Sequence, residues 1–164
     1  MTFEENQQED VKFRTESANN EEYLTLGLIE EVGEAAGKLA KRRRDGVFDE
    51  KAFIKELGDI LWFVANLAEY YDRENNTKIS DDLKDCFETE VDDDSFDDEI
   101  MRLLVYWVGY FLDGECWRLI DIVYEFGGLA KKYGYTLEQV AEINLAKLRD
   151  RQARGVIKGN GDER

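Results

Sequence analysis

The chain of 164 residues carries 38 acidic and 22 basic side chains, a formal net charge of −16, and contains neither histidine nor proline. Without histidine there is no His-based zinc site, no Ser-His-Asp or Cys-His nucleophile and no His general base, so any catalysis rests on carboxylates, a metal, lysine, arginine or tyrosine. A hydrophobic content of 43% argues for a folded chain, and the length fits one domain with a real core.

The absence of the strongest helix breaker, together with long segments of 3.6-residue periodicity, favours an all-α fold. Cys86 and Cys116 show neither metal-ligand spacing nor a disulfide framework, which points to a reducing compartment. No apolar run reaches the length of a membrane span, and Met1–Asp10 is polar and acidic, unlike a signal peptide. The expectation is a soluble cytoplasmic protein with no membrane partner.

Residues 1–20 are rich in Glu, Gln and Asn, with Val11, Phe13 and the following Arg14-Thr15 forming at most a short first helix. From Glu22 to Arg44 the pattern is helical, with Leu24, Leu28, Val32, Ala35 and Leu39 on one arc. That helix ends in Lys41-Arg42-Arg43-Arg44, where the dipole favours cations, and Asp45-Gly46 is its stop. A second long helix is expected from about Asp49 to Asp72, with Phe53, Leu57, Ile60, Leu61, Val64 and Ala68 inward.

Asn75-Asn76 opens a loop and an acidic stretch expected to be partly disordered or solvent-facing. Eleven acidic residues face the single Lys84 between Asp81 and Glu99. Within it, Asp92-Asp93-Asp94-Ser95 is placed to cap an apolar helix over about Phe96–Leu112. A further helix spans about Glu115–Tyr133, and Thr136 with Glu138-Gln139 starts the last one, about Leu137–Arg154. Tyr106, Trp107, Tyr110, Phe111 and Trp117 are too apolar for solvent and read as added core or subunit interface. The tail from Lys147 to Arg164 has six basic and three acidic residues, a local grip for a small polyanion. The overall acidity argues against nucleic acid as a partner.

The first two long helices each carry closely spaced acids: Glu30, Glu31 and Glu34 on one, Glu56 and Asp59 on the other. Three-residue spacing stacks side chains on one helix face. The plain interpretation is a solvated face, supported by four-apart pairs such as Glu34–Lys38 and Lys55–Asp59. Against it, at about 100° per residue, Glu31, Glu56 and Asp59 fall at the edges of the apolar arcs, where an unpaired carboxylate is costly. Gly27, Gly33, Gly37 and Gly58 also interrupt these helices, at about 1 kcal/mol each relative to alanine. Carboxylates from two adjacent helices offer the oxygen ligands a hard cation such as Mg²⁺ prefers. Ferritin-like di-iron sites need the missing histidine, and the Asp92–Asp98 run lacks the glycine of an EF-hand loop.

These residues resemble the MazG-like nucleotide pyrophosphohydrolases of the all-α NTP pyrophosphatase superfamily. The matching blocks are Gly27–Glu34, Glu56–Trp62 and Leu137–Leu148, followed by Arg151, Arg154–Ile157 and Gly159–Asp162, in the family's order. The segment from about Arg73 to Gly128 departs from the pattern as an insertion into a single domain over 1–164.

The resemblance implies a helical bundle that assembles as a homodimer or homotetramer and converts a nucleoside triphosphate to the monophosphate and pyrophosphate. It implies Mg²⁺, with Mn²⁺ as a substitute, held by Glu31, Glu34, Glu56 and Asp59. Glu30 follows as a further ligand or the base that orients water, and Asn144 and Lys147 as substrate contacts. Arg151, Arg154 and Lys158 extend that contact to the phosphate tail. Analogy with viral and bacterial members leans toward deoxynucleotides, guanine among them, and would place a viral chain in the host cytoplasm. The alternatives are a non-catalytic acidic helical interaction protein and a related dUTP- or dCTP-type phosphohydrolase.

Overall fold

The computed structural model describes residues 1–88 and 97–156, and the described residues form seven α-helices with no strand among them. They are α1 (Phe3–Phe13), α2 (Glu21–Asp45), α3 (Glu50–Asn75), α4 (Ile79–Glu88), α5 (Asp97–Leu112), α6 (Leu119–Lys132) and α7 (Leu137–Ala153). Short 3₁₀ turns at Glu16–Ala18 and Cys116–Arg118 precede α2 and α6. The expected all-α class is borne out. None of these helices is long and apolar enough to cross a membrane.

The helix boundaries follow from side chains that satisfy the end groups. Asn20 Oδ1 accepts from the Tyr23 N–H at the start of α2, and Asp49 Oδ1 accepts from the Ala52 N–H at the start of α3. Thr2 with Glu5, and Thr136 with Gln139, form reciprocal capping boxes on α1 and α7. Gly46, at φ 70°, ends α2 in the left-handed conformation that favours glycine, and its N–H returns to the Arg42 carbonyl.

The α2–α3 turn makes the two longest helices antiparallel neighbours. α3 is the central column and packs against α1, α2, α4, α6 and α7. It is apolar nearly all round, burying Phe53, Ile54, Leu57, Ile60, Leu61, Val64, Leu67 and Ala68 among others, as a helix enclosed by neighbours must. All the residues assigned inward on α2 and α3 from the sequence are buried.

The expected solvent-facing acidic stretch is corrected in its first part. Ile79 and Leu83 of α4 are buried, and Phe87 meets Phe3 edge-on at 5.7 Å. Ile79, Leu83 and Phe87 recur at four-residue steps, so one stripe turns inward while Asp81, Asp82 and Asp85 stay exposed. Asp72 fixes the turn into α4, accepting from Thr77 Oγ1, the Ile79 N–H and the Ser80 N–H at 2.7, 2.8 and 2.9 Å. The proposed Asp92–Ser95 cap lies outside the described residues. The first helix begins eight residues before Val11, because the Thr2–Glu5 box supplies a start the composition obscured.

The segment read as an insertion joins the same core as the rest. Ile100, Leu104, Val108 and Phe111 of α5 and Leu119, Ile122, Val123 and Phe126 of α6 are contiguous with the α2–α3 residues. Tyr106 and Trp117, by contrast, remain about half exposed, at 51% and 48%. Arg118 lies over Trp117, Trp107 and Tyr110, its guanidinium 3.7, 4.7 and 5.2 Å from the ring centroids.

Asp10 of α1 is 1% exposed, and neither of its oxygens has a hydrogen-bond partner among the described residues. Burial pushes its carboxyl up to about 8, and nearby Asn6 offsets this only in part. The folded state therefore holds a proton that the unfolded chain releases near pH 4. This group's contribution is greatest below that pH and declines as pH rises toward 8. Asp10→Asn should flatten the decline, raising stability at pH 9 by roughly 1–3 kcal/mol. Chemical denaturation at pH 5 and pH 9 measures it, and equal differences at both pH values would refute it.

Candidate metal centre

The antiparallel pairing of α2 and α3 sets Gly27 opposite Phe63 and Glu31 opposite Asp59. A Cβ on Gly27 would lie 2.2 Å from the Phe63 ring, so glycine lets that ring seat against α2. One turn along each helix, carboxylate oxygens of Glu31, Glu56 and Asp59 all lie within 4.8 Å of one another. Glu56 is 9% exposed, and the Asp59 side chain keeps 13% of its accessible surface.

α7 closes the third side. Asn144 donates from Nδ2 to Asp59 Oδ1 at 2.7 Å, and Lys147 donates from Nζ to Asp59 Oδ2 at 2.5 Å. This approach depends on Gly58, where a Cβ would stand 2.9 Å from Asn144 Cβ and 3.4 Å from the Val140 carbonyl oxygen. Gly33 and Gly37 have nothing within 4 Å of such a Cβ, so close packing explains Gly27 and Gly58 alone. Gly58→Ala should separate α3 from α7, costing about 1–3 kcal/mol of stability. Asn144 and Lys147 would move off Asp59; a crystal structure of the variant with both contacts intact would contradict this.

Three acids in this volume strain their own ionisation. Burial first, then the charge of Asp59, pushes the Glu31 carboxyl up to about 8. Asp59 is also raised by burial, against the pull of Lys147. On α2, Lys38 Nζ meets Glu56 Oε1 at 2.9 Å. Sequence spacing pairs Lys38 with Glu34 and Lys55 with Asp59 as surface supports. The structure makes neither pair: Lys38 turns to Glu56, and Asp59 takes Lys147.

Of the four acids expected to hold metal, Glu31, Glu56 and Asp59 converge, while Glu34 is exposed and stands outside the group. Glu30 is exposed on α2. Asn144 and Lys147 reach the group directly. Arg151, one turn beyond Lys147, lowers the Asp59 carboxyl through its charge, whereas Arg154 is exposed and paired with Asp150 at 2.7 Å. Lys158 lies outside the described residues. Among the aromatic candidates, Phe63 is buried and Trp62 meets it edge-on at 4.8 Å, with Trp62 Nε1 buried and without a partner. Phe13 is half-buried at the end of α1.

The donor set suits a hard divalent cation. It consists of oxygen ligands only, burial pushes two of the three carboxyls toward neutrality, and Asn144 Oδ1 is buried without a hydrogen-bond partner beside them.

Residues 19–88 match the model of the MazG nucleotide pyrophosphohydrolase domain, a span that holds all five acids singled out on α2 and α3. The chain is also similar to the Gene 37 protein of Mycobacterium phage L5, 44% identical over 55 residues. That alignment covers 30% of this chain and 48% of the phage protein, so the chain spans about half the length of the curated relative it matches. No solved structure matches the chain.

Proposed function

We propose, from the match of residues 19–88 to the MazG nucleotide pyrophosphohydrolase domain, that this chain hydrolyses nucleoside triphosphates to the monophosphate and pyrophosphate. The observation that carries the reading is the convergence of Glu31, Glu56 and Asp59 at one point, with Asn144 and Lys147 of α7 on its rim. An acidic chain meets a triphosphate of about four negative charges, which demands positive charge between them.

Glu31, Glu56 and Asp59 would hold Mg²⁺ or Mn²⁺, with Glu34 joining them when nucleotide is bound. The ion would supply neutralising charge for the phosphates and a lower pKa for water at the site. Everything else falls to side chains. Asn144 and Lys147 orient Asp59 and then contact the phosphate chain, where an ammonium group stabilises the charge that builds on departing pyrophosphate. Arg151, Arg154 and Lys158 continue that positive track along the outgoing group. Glu30, solvent-facing beside Glu31, takes the proton of the attacking water. Trp62 and Phe63 border the site and are the aromatic candidates for packing on a base, with Phe13 the more distant one.

Deoxynucleotides, guanine among them, lead the substrate candidates by family analogy, and a dUTP- or dCTP-type activity belongs to the same chemistry. We assign self-association as a dimer or tetramer to the apolar surface of α5 and α6, and a clean monomer by light scattering would oppose it. The rival interaction protein leaves unexplained why the carboxylates converge inside the helical layer. The test is a panel of ribo- and deoxynucleotides with Mg²⁺. Pyrophosphate release supports the proposal; orthophosphate release or inertness rejects it.

A further inference from the structure

We propose that Lys38 is a phosphate-binding residue of this site held in reserve by Glu56: its ammonium group occupies that carboxylate until a divalent cation takes it, then turns to the triphosphate. The inference rests on the metal-site reading above and adds to it a cation from a third place in the site.

The trio is flanked by two lysines from different helices, each bonded to a different acid. Lys38 of α2 holds Glu56 at 2.9 Å, and Lys147 of α7 holds Asp59 at 2.5 Å. No cation is hydrogen-bonded to Glu31 among the described residues, although all three carboxylates share one 4.8 Å neighbourhood. Two ammonium groups therefore serve as the immediate counter-charge for three acids.

That arrangement does not persist when the acids ligate a divalent ion. The oxygen that accepts from Lys38 belongs to the carboxylate the ion needs, and an ion of charge +2 next to an ammonium group repels it strongly in a site of low effective dielectric. Lysine is suited to the exchange. Its flexible four-carbon stem carries a compact charge with three donors, and the Lys38 side chain, 28% exposed, has a path to the mouth of the site.

Geometry gives it a destination. Glu31, Glu34 and Lys38 stand at positions i, i+3 and i+7 of α2, one continuous stripe of that helix. An incoming triphosphate brings to this stripe the anionic oxygens that Glu56 no longer offers. Lys147 undergoes the same exchange from the α7 side, so the phosphate chain would be gripped from both flanks.

Lysine acetylation by a brief pulse of an N-hydroxysuccinimide ester, read by peptide mass spectrometry, tests this on the wild-type chain. Three states are compared: metal-free, with Mn²⁺, and with Mn²⁺ plus an α,β-methylene deoxynucleotide triphosphate. Lys38 modification should rise at least threefold on adding Mn²⁺ and fall again with the analogue, while exposed Lys55 stays level. Calorimetry on folded Lys38→Met should show Mn²⁺ bound several-fold more tightly without nucleotide and the analogue bound at least tenfold more weakly, with Lys38→Arg recovering part of the analogue affinity. Unchanged Lys38 reactivity, or analogue binding equal to wild type in Lys38→Met, overturns the assignment while leaving the metal site standing. Failure of the wild type to bind Mn²⁺ overturns both.

Discussion

Asp59→Asn is expected to lower pyrophosphate release by at least about a thousandfold, equivalent to about 4 kcal/mol of lost transition-state stabilisation, with the protein still folded. Asp59 concentrates more of the site than any other residue. It belongs to the carboxylate trio from α3, accepts from Asn144 and Lys147 of α7, and sits where Gly58 lets those helices meet. The substitution removes one negative charge from the cation site and frees Lys147 to point elsewhere, so binding and phosphate alignment fail together. Breaking a fully buried ion pair destabilises by about 3–5 kcal/mol, but Lys147 keeps 21% of its side-chain surface and can turn to water. Removal of a partly desolvated carboxylate acts in the opposite direction. Stability should therefore change little, and circular dichroism separates lost chemistry from lost fold. Activity within tenfold of wild type would remove Asp59 from the mechanism.

Glu31→Gln should produce the second large effect, a variant more stable than wild type without metal and unresponsive to it. Burial and the neighbouring Asp59 charge hold the Glu31 carboxyl up to about 8, far above its unfolded value. The sign follows from proton count: between about pH 4 and pH 8 the folded protein keeps a proton that the unfolded chain gives up, so stability falls as pH rises through that window. Glutamine cannot ionise and escapes the penalty. The gap between variant and wild type should widen toward pH 8 and level off above it. Adding Mg²⁺ reverses the ranking. At a hundred times its Kd a ligand adds about 2.7 kcal/mol to the wild type, a rise of roughly 5–10 °C in Tm for a domain of this size. The variant should gain little of it. Equal Mg²⁺-dependent shifts in both proteins would show that the ion binds elsewhere.

Much of this organisation is legible in the sequence because local rules and tertiary packing agree there. The apolar arcs of α2 and α3, the Asp45-Gly46 stop and the Thr136 start all stand where periodicity and capping chemistry put them. The acids at the edges of those arcs follow from the same helical geometry. α4 was obscured because its acidic composition outweighs the short Ile79, Leu83, Phe87 stripe, which becomes helical by packing on α3, α6 and Phe3. The apolarity of α5 and α6 reads as added core or subunit interface, and only tertiary packing separates the two by joining them to the common core.

The site shows the same division. Convergence of Glu31 with Glu56 and Asp59 was readable from two antiparallel helices, while the placement of Glu34 outside the group depends on how α2 rotates against α3. The contact of Lys38 with Glu56 is not legible in the sequence, because Glu34 four residues earlier offers a sufficient surface partner and only packing brings Glu56 to it instead. Gly58 carried a signal of its own, a glycine inside an otherwise strong helix. The neighbour it accommodates, Asn144, lies 86 residues further along the chain.

The central claim is that α2 and α3 assemble a divalent-cation site whose work is to split a nucleoside triphosphate between its α- and β-phosphates. Phosphorus NMR of a deoxynucleoside triphosphate incubated with the protein and Mg²⁺ tests it most directly. Monophosphate and pyrophosphate should appear in equal amounts with wild type and be absent with Asp59→Asn. A diphosphate with orthophosphate, or products that form equally without added divalent ion, would contradict the account.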